Sequence, residues 1–190
     1  MKHHPSFKIR MATQALKQGK IIAYPTEAVY GLGCDPCNES AVLNLLKIKQ
    51  RPIEKGLILI ASDFSQLQPF LQTTNELLEQ VLPSWPGPVT WVIPAQPWVP
   101  SYLKGSHNSL AVRVSAHPFV QQLCTRYGGP IVSTSANISK QAPARSSLDV
   151  QKKFHHPGVF IVPGKTPKHT QPTTIYNATT GLCLRRSKPT

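Results

Sequence analysis

Acidic side chains are scarce in this chain. Eight Asp and Glu stand against 21 Lys and Arg, and from Val81 to Thr190 the only acid is Asp149. That stretch holds twelve Lys and Arg, so it carries +11 of the formal net charge of +13. Reactions that need two carboxylates, such as glycoside hydrolysis, have few candidate residues, and so does an acid-rich magnesium cage. An excess of cations instead suits anionic ligands such as nucleotides or RNA, with a merely solvated basic surface as the plainer alternative. Repeated exposed aromatics, the stacking platform of a nucleic-acid binder, are lacking.

Long apolar runs are lacking as well. The longest, Leu57 to Ala61, falls far short of the roughly 20 residues needed to cross a bilayer. Met1-Lys2-His3-His4 does not begin a signal peptide, so no membrane partner and a cytoplasmic location are expected. Cysteines are few, at positions 34, 37, 124 and 183; with nothing marking the chain as secreted, reduced thiols are expected. Cys34-Asp35-Pro36-Cys37 has the spacing of half a zinc site, but no second Cys-x-x-Cys or His-x-x-x-His completes it, so no protein-held metal is expected. Neither G-x-x-x-x-G-K-[ST] nor G-x-G-x-x-G occurs, and any phosphate site must be built another way.

What is present is enough apolar material, 40% of 190 residues, for one well-buried core, and a single domain over 1–190 is the default. Apolar residues at helical spacing predict a helix from Ser6, its cap, to Gly19, and a second capped by Asn38 that ends near Arg51 because Pro52 disfavours helical geometry before it. Further helices are expected around Asp63–Leu71, Asn75–Leu82 and Pro118–Tyr127, with a short one capped by Ser146 or Ser147. Strands are expected at Ile21–Tyr24, Leu57–Ile60, Thr90–Ile93, Leu110–Val114, from Ile131 and at Val159–Val162, with a hairpin pairing Thr174–Tyr176 and Leu182–Arg185. Tyr30-Gly31-Leu32-Gly33 reads as a turn where backbone approaches a ligand closely. Gly164–Pro172, with Lys165, Lys168 and His169, reads as a mobile basic loop. Strands alternating with helices argue for an α/β sheet, and the proline loops and terminal hairpin for a mixed one.

Two short patterns carry chemistry. Lys49-Gln50-Arg51 sets two cations at a helix end, and Ser133-Thr134-Ser135-Ala136-Asn137 puts hydroxyls and an amide at the end of an apolar strand. Ligands of α/β proteins bind at such strand ends. Each pattern alone also fits a bland role, cations against a helix dipole and a capped turn.

Read in order, GKIIAYPTEAVYGLGCD, KIKQRPIEKGLILI, WPGPVT, SLAVRVS, PIVSTSANIS and PTTIYNATTGLCLRR resemble the YrdC-like domain family over nearly the whole chain, in the length of its short bacterial form. The resemblance implies an α/β fold, a single-domain twisted mixed sheet with flanking helices and a concave basic ligand surface. It implies a nucleotidyltransferase, a threonylcarbamoyl-AMP synthase using L-threonine, bicarbonate or CO2, and ATP with magnesium. The product would feed a tRNA-modifying threonylcarbamoyl-transfer complex. The alternative is a tRNA- or double-stranded-RNA-binding module without catalysis. By the same resemblance Lys49, Arg51, Ser135 and Asn137 form the catalytic K-x-R and S-x-N signature, and Lys55, Ser109, Pro143 and Arg185 join Arg51 and Ser135 on ATP. Thr26, Arg113, Ser133 and Thr173 are implied for threonine, with Arg113 on its carboxylate and Tyr30 as a wall. The bland reading of Arg113 is a buried strand arginine paired with an acid, which the scarcity of acids disfavours. Two positions depart from many longer members, Ala28 in place of threonine and Ile60 in place of histidine, so the threonine pocket must rest on other groups.

Overall fold

Nine strands join one mixed sheet in the computed structural model, which describes residues 6–154, 156–164, 166 and 173–186. They are β1 (Ile21–Pro25), β2 (Tyr30–Gly33), β3 (Ile58–Ala61), β4 (Val89–Pro94), β5 (Ser109–Val114), β6 (Ile131–Ser135), β7 (Val159–Ile161), β8 (Thr174–Asn177) and β9 (Cys183–Arg185). Their order across the sheet is β7-β1-β2-β6-β3-β5-β4-β8-β9. The pairs β1·β7, β3·β5 and β4·β8 are parallel and the other five antiparallel. The helices are α1 (Phe7–Lys17), α2 (Glu39–Lys49), α3 (Asn75–Val81), α4 (Ser101–Lys104), α5 (Pro118–Tyr127) and α6 (Ser147–Lys153).

Side chains along a strand alternate between the two faces of a sheet, so each strand feeds two environments. Leu59 and Ala61 of β3, Leu110, Val112 and Val114 of β5, and Trp91 and Ile93 of β4 join one core with Val42, Leu45 and Leu46 of α2 and Leu103 of α4. On the other face Ile22 and Tyr24 of β1, Ile60 of β3 and Ile131 of β6 pack against Ile9, Ala12 and Leu16 of α1 and Val120 and Leu123 of α5. The helices α1 and α5 cover only one end of that face. Beyond them Ala111, Arg113, Thr90, Val92 and Ile175 line an open hollow. The hollow is the part of the sheet that no helix buries.

Local chemistry explains most element ends. The Asn38 side chain accepts from Ala41 N at 3.0 Å and caps α2, and Ser146 with Asp149 forms a reciprocal capping box on α6. Gly128 closes α5 at φ 87°, a left-handed geometry that glycine adopts without a Cβ penalty. Ser6 occupies the N-cap position of α1 but makes no side-chain capping bond.

Three elements differ from expectation. Tyr30–Gly33 is a buried strand, not a turn, and the turn falls at residues 26–29. Its glycines answer a packing demand, since a Cβ on Gly33 would lie 2.5 Å from Val132 O and one on Gly31 3.1 Å from the Tyr24 ring. Residues 63–71 form two 3-10 turns, Phe64–Gln66 and Gln68–Phe70, in place of a helix. There Gln66 Oε1 is drawn back to Ser62 N at 3.0 Å, and Pro69 interrupts the donor series. The helix α4 stands between β4 and β5, where no helix is among those expected from the sequence. Most of the anticipated basic loop at 164–172 lies outside the described residues.

Candidate active site

The hollow is a cavity of ≈ 670 Å³. A second depression of ≈ 770 Å³, lined by Lys17, Asp35, Cys37, Gln66 and Tyr127 among others, holds none of the residues expected to act. Period-2 alternation delivers most of the first cavity's polar wall. Ser109 and Arg113 come from alternate positions of β5, Ser133 and Ser135 from β6, and Thr90 from β4, with Thr173 just before β8. Arg51, Lys55, Asn137, Pro143 and Arg185 reach it from helix ends, loops and β9, and Thr26 from the 26–29 turn.

Lys49 is the exception. It is 3% exposed and absent from the cavity wall. Its Nζ donates to the carbonyl oxygens of Ser135 and Asn137, the latter at 2.8 Å. It therefore ties the end of α2 to the turn after β6, while Ser139 N donates back to Lys49 O at 2.9 Å. Burial, and then the charge of Arg51, push its amine down to about 7. Within the turn Ser135 Oγ donates to Asn137 Oδ1 at 2.5 Å, and Asn137 Nδ2 donates to Ile138 O and Gln141 O, each at 3.0 Å.

Arg51 forks onto one carbonyl, donating to Gly56 O from Nε at 3.2 Å and Nη2 at 2.8 Å. The loop it grips interlocks with α4. Leu57 N donates to Leu103 O at 2.8 Å and Ser106 N to Glu54 O at 3.1 Å. Gly56 and Gly105 cross there at φ 58° and 68°, and a Cβ on Gly105 would lie 2.3 Å from Glu54 O. This clasp sets Lys104 and His107 beside Arg51 and Lys55 on the cavity wall. Sequence reading misses both; the signal was their place just before Ser109, where β5 enters the cavity. Arg185 grips Thr173 O from Nε at 3.2 Å and Nη2 at 2.8 Å. Burial, with Arg113 second, lowers the proton affinity of its guanidinium.

The far end of the cavity is built on Arg113, 7% exposed. An acid does meet it, contrary to the expectation from acid scarcity, because Glu27 Oε1 lies 3.0 Å from Arg113 Nη1. The two stand 86 positions apart and meet because the 26–29 turn folds over the end of β5. Ser133 Oγ accepts from Tyr24 OH at 2.7 Å, so its own proton is free to donate. Thr26 Oγ1 donates to Val29 O at 2.7 Å and receives Ala28 N at 3.2 Å, so toward a ligand it can only accept. Tyr30 lines the cavity as a wall, and its hydroxyl is shared between Val162 O at 3.1 Å and Gly164 O at 2.9 Å.

Among the described residues no three His, Cys, Asp or Glu gather as a metal site. The four cysteines are free thiols, Cys34 and Cys124 buried and Cys37 exposed. No helix is long and apolar enough to cross a membrane among the described residues.

Residues 14–187 match the profile of the Sua5–YciO–YrdC family, described as "Telomere recombination". The chain is 49% identical over 181 residues to a threonylcarbamoyl-AMP synthase of Aliivibrio fischeri, covering 94% of this chain and 98% of the relative. A threonylcarbamoyl-AMP synthase of Methylococcus capsulatus is 47% identical over 180 residues, 94% of this chain and 97% of its own length. Among solved structures, P. abyssi Sua5 complexed with L-threonine superposes with a TM-score of 0.87 at 32% identity. That match covers 98% of this chain, which spans 56% of the length of that protein. E. coli YciO shares the fold, with a TM-score of 0.83 at 24% identity over 97% of this chain and 91% of its own.

Proposed function

The chain belongs to the Sua5–YciO–YrdC family, and from that premise we propose how its cavity serves the activity its close relatives carry. The protein is an enzyme, a threonylcarbamoyl-AMP synthase that uses L-threonine and ATP. The observation that carries the site assignment is the meeting of two clusters in one cavity, Arg51, Lys55, Ser135 and Asn137 at one end and Arg113, Ser133 and Thr26 at the other.

The reaction begins when the amine of threonine, freed of its ammonium proton, attacks CO2 formed from bicarbonate with release of hydroxide; the nitrogen then gives a second proton to that hydroxide, leaving water and a carbamate. A carbamate oxygen then attacks the α-phosphorus of ATP, the bond to the β-phosphate oxygen breaks, and diphosphate leaves. Neither step needs a protein nucleophile. What accelerates them is alignment of two anions and stabilisation of charge growing on the phosphate. Arg51 and Lys55 supply cations for the phosphates, Ser135 and Asn137 short polar contacts at the α-phosphate, and Ser109, Pro143 and Arg185 the nucleoside side. Arg113 receives the threonine carboxylate and the Ser133 hydroxyl donates beside it, with Thr173 and Thr26 completing the pocket. Lys49 acts from behind, holding the carbonyls of Ser135 and Asn137. Magnesium enters with ATP as part of the substrate. Ser135 Oγ and Asn137 Oδ1 are neutral oxygens suited to a cation whose charge the phosphates meet.

The product is an activated carbamoyl donor, passed to a partner complex that modifies an adenosine of tRNA in the cytoplasm. The test is incubation with L-threonine, bicarbonate, magnesium and ATP. Diphosphate and the AMP-linked product are expected only with threonine present, and threonine-independent or absent turnover would overturn the reading. Arg51→Glu should abolish turnover in a protein that still unfolds cooperatively.

A further inference from the structure

The ion pair at the inner end of the cavity is unfinished. Glu27 Oε2, Arg113 Nε and His117 Nδ1 are all buried without a hydrogen-bond partner, although Glu27 Oε1 and Arg113 Nη1 are 3.0 Å apart. A structural ion pair repays its desolvation only when the remaining donors and acceptors are satisfied. Here the Glu27 side chain is 29% exposed, against 9% for Arg113. Glu27 is the only acid among the described residues that line the cavity, in a wall otherwise bearing Arg51, Lys55, Lys104 and Arg185.

We propose that Glu27 is the counter-charge for the substrate's ammonium group and a specificity-determining residue, with Arg113 and Glu27 together forming a split ion pair that accepts a zwitterion. The proposal deepens the synthase reading and rests on it. The hydrogen-bonding polarity of the pocket fits. At one side Thr26 Oγ1 has given its proton to Val29 O and Glu27 is acceptor-only, a surface for ammonium N–H groups. At the other, Arg113 lines the cavity with a guanidinium only partly met by Glu27, and Ser133 keeps a free hydroxyl proton, a surface for a carboxylate. A carboxylate has about four lone-pair sites, so Glu27 receives an ammonium without leaving Arg113. This arrangement also answers the loss of a hydroxyl at Ala28 and of an imidazole at Ile60, because selection of an amino acid then rests on paired charges.

The test compares binding of L-threonine with that of 2,3-dihydroxybutanoate, which has a hydroxyl in place of the ammonium, by calorimetry on the full chain. The unmodified protein should prefer threonine by roughly a hundredfold or more, the scale of a charge-assisted hydrogen bond left unmade. Glu27→Gln should reduce that preference below tenfold, Glu27→Asp should restore part of it, and both should bind ATP within twofold of the unmodified protein. Equal weakening of threonine and its analogue in Glu27→Gln would show that Glu27 only props Arg113 and would overturn the proposal, as would an unchanged preference. If the unmodified protein binds ATP but no threonine at all, the synthase reading falls and this inference with it.

Discussion

Lys49 shows how a single residue serves a site it does not touch. A neutral amine keeps two N–H donors, enough for the carbonyls of Ser135 and Asn137. With its amine near 7 when folded and at its ordinary, higher value when unfolded, the unfolded chain binds more protons between those values. Stability contributed by this residue is therefore lowest below about pH 7, where the buried amine is charged, and rises with pH through the window above it. Replacing it with an uncharged side chain, Lys49→Met, removes that slope. Urea unfolding at pH 6.5 and 9.5 should show the unmodified protein gaining on the variant by on the order of 2 kcal/mol, less than burial alone implies because the two carbonyls favour the ammonium form. Parallel stability curves would exclude the assignment. The sequence pattern Lys49-Gln50-Arg51 marked both cations for the same end of the molecule, but only the fold separates their tasks. Arg51 faces the cavity, whereas Lys49 lies behind it, because Gln50 takes a left-handed φ of 49° at the end of α2 and turns the chain between them.

At the scale of elements, legibility followed how local the cause was. The helix α5 runs over Pro118–Tyr127 as its spacing, its leading proline and Gly128 require. The strands of the central sheet lie where their apolar runs predict, and in the fold their alternation sets Ser109 with Arg113 and Ser133 with Ser135 on the cavity wall. Where the cause was long-range, local reading failed. Gly31 and Gly33 read as a turn because glycine permits one, yet they stand in a strand because Tyr24 and Val132 O leave no room for a side chain. The pairing of Arg113 with Glu27 is likewise invisible along the chain. The clasp between the Ile53–Lys55 turn and α4 is the element-scale counterpart, since Gly105 crosses within 2.3 Å of Glu54 O measured from a would-be Cβ. Gly105→Ala must push these segments apart or strain a positive φ, at a cost of about 1–3 kcal/mol. Because the clasp aims Lys55, Lys104 and the Arg51 anchor but not Arg113, the KM for ATP should rise at least fivefold while that for threonine changes less than twofold. Steady-state kinetics with each substrate varied in turn separate the two, and parallel increases would mean that the clasp supports the whole cavity.

The whole molecule places its open sheet face where cations converge. Arg51, Lys55, Lys104, Arg113 and Arg185 share one cavity with one acid among the described residues, in a chain of net charge +13. Like charges held together in the folded state repel, and the repulsion falls when the chain unfolds and they separate. One sign of this repulsion is the lowered proton affinity of Arg185, to which the charge of Arg113 contributes after burial. A polyanion that binds only the folded cavity relieves the repulsion and stabilises the fold by mass action, about 2.7 kcal/mol when its concentration is a hundred times Kd. For a chain of this size that corresponds to roughly 5–10 °C in Tm. Inorganic tripolyphosphate should therefore raise Tm nearly as far as ATP does, AMP should raise it much less, and the effect should shrink between 50 and 300 mM NaCl as screening strengthens. Lys55→Ala combined with Lys104→Ala should lose most of the tripolyphosphate shift yet melt no lower than the unmodified protein without ligand, because removing two of the crowded cations relieves the same repulsion. A double variant that melts lower without ligand while keeping the full shift would show instead that these lysines hold the fold together and that the phosphates bind elsewhere.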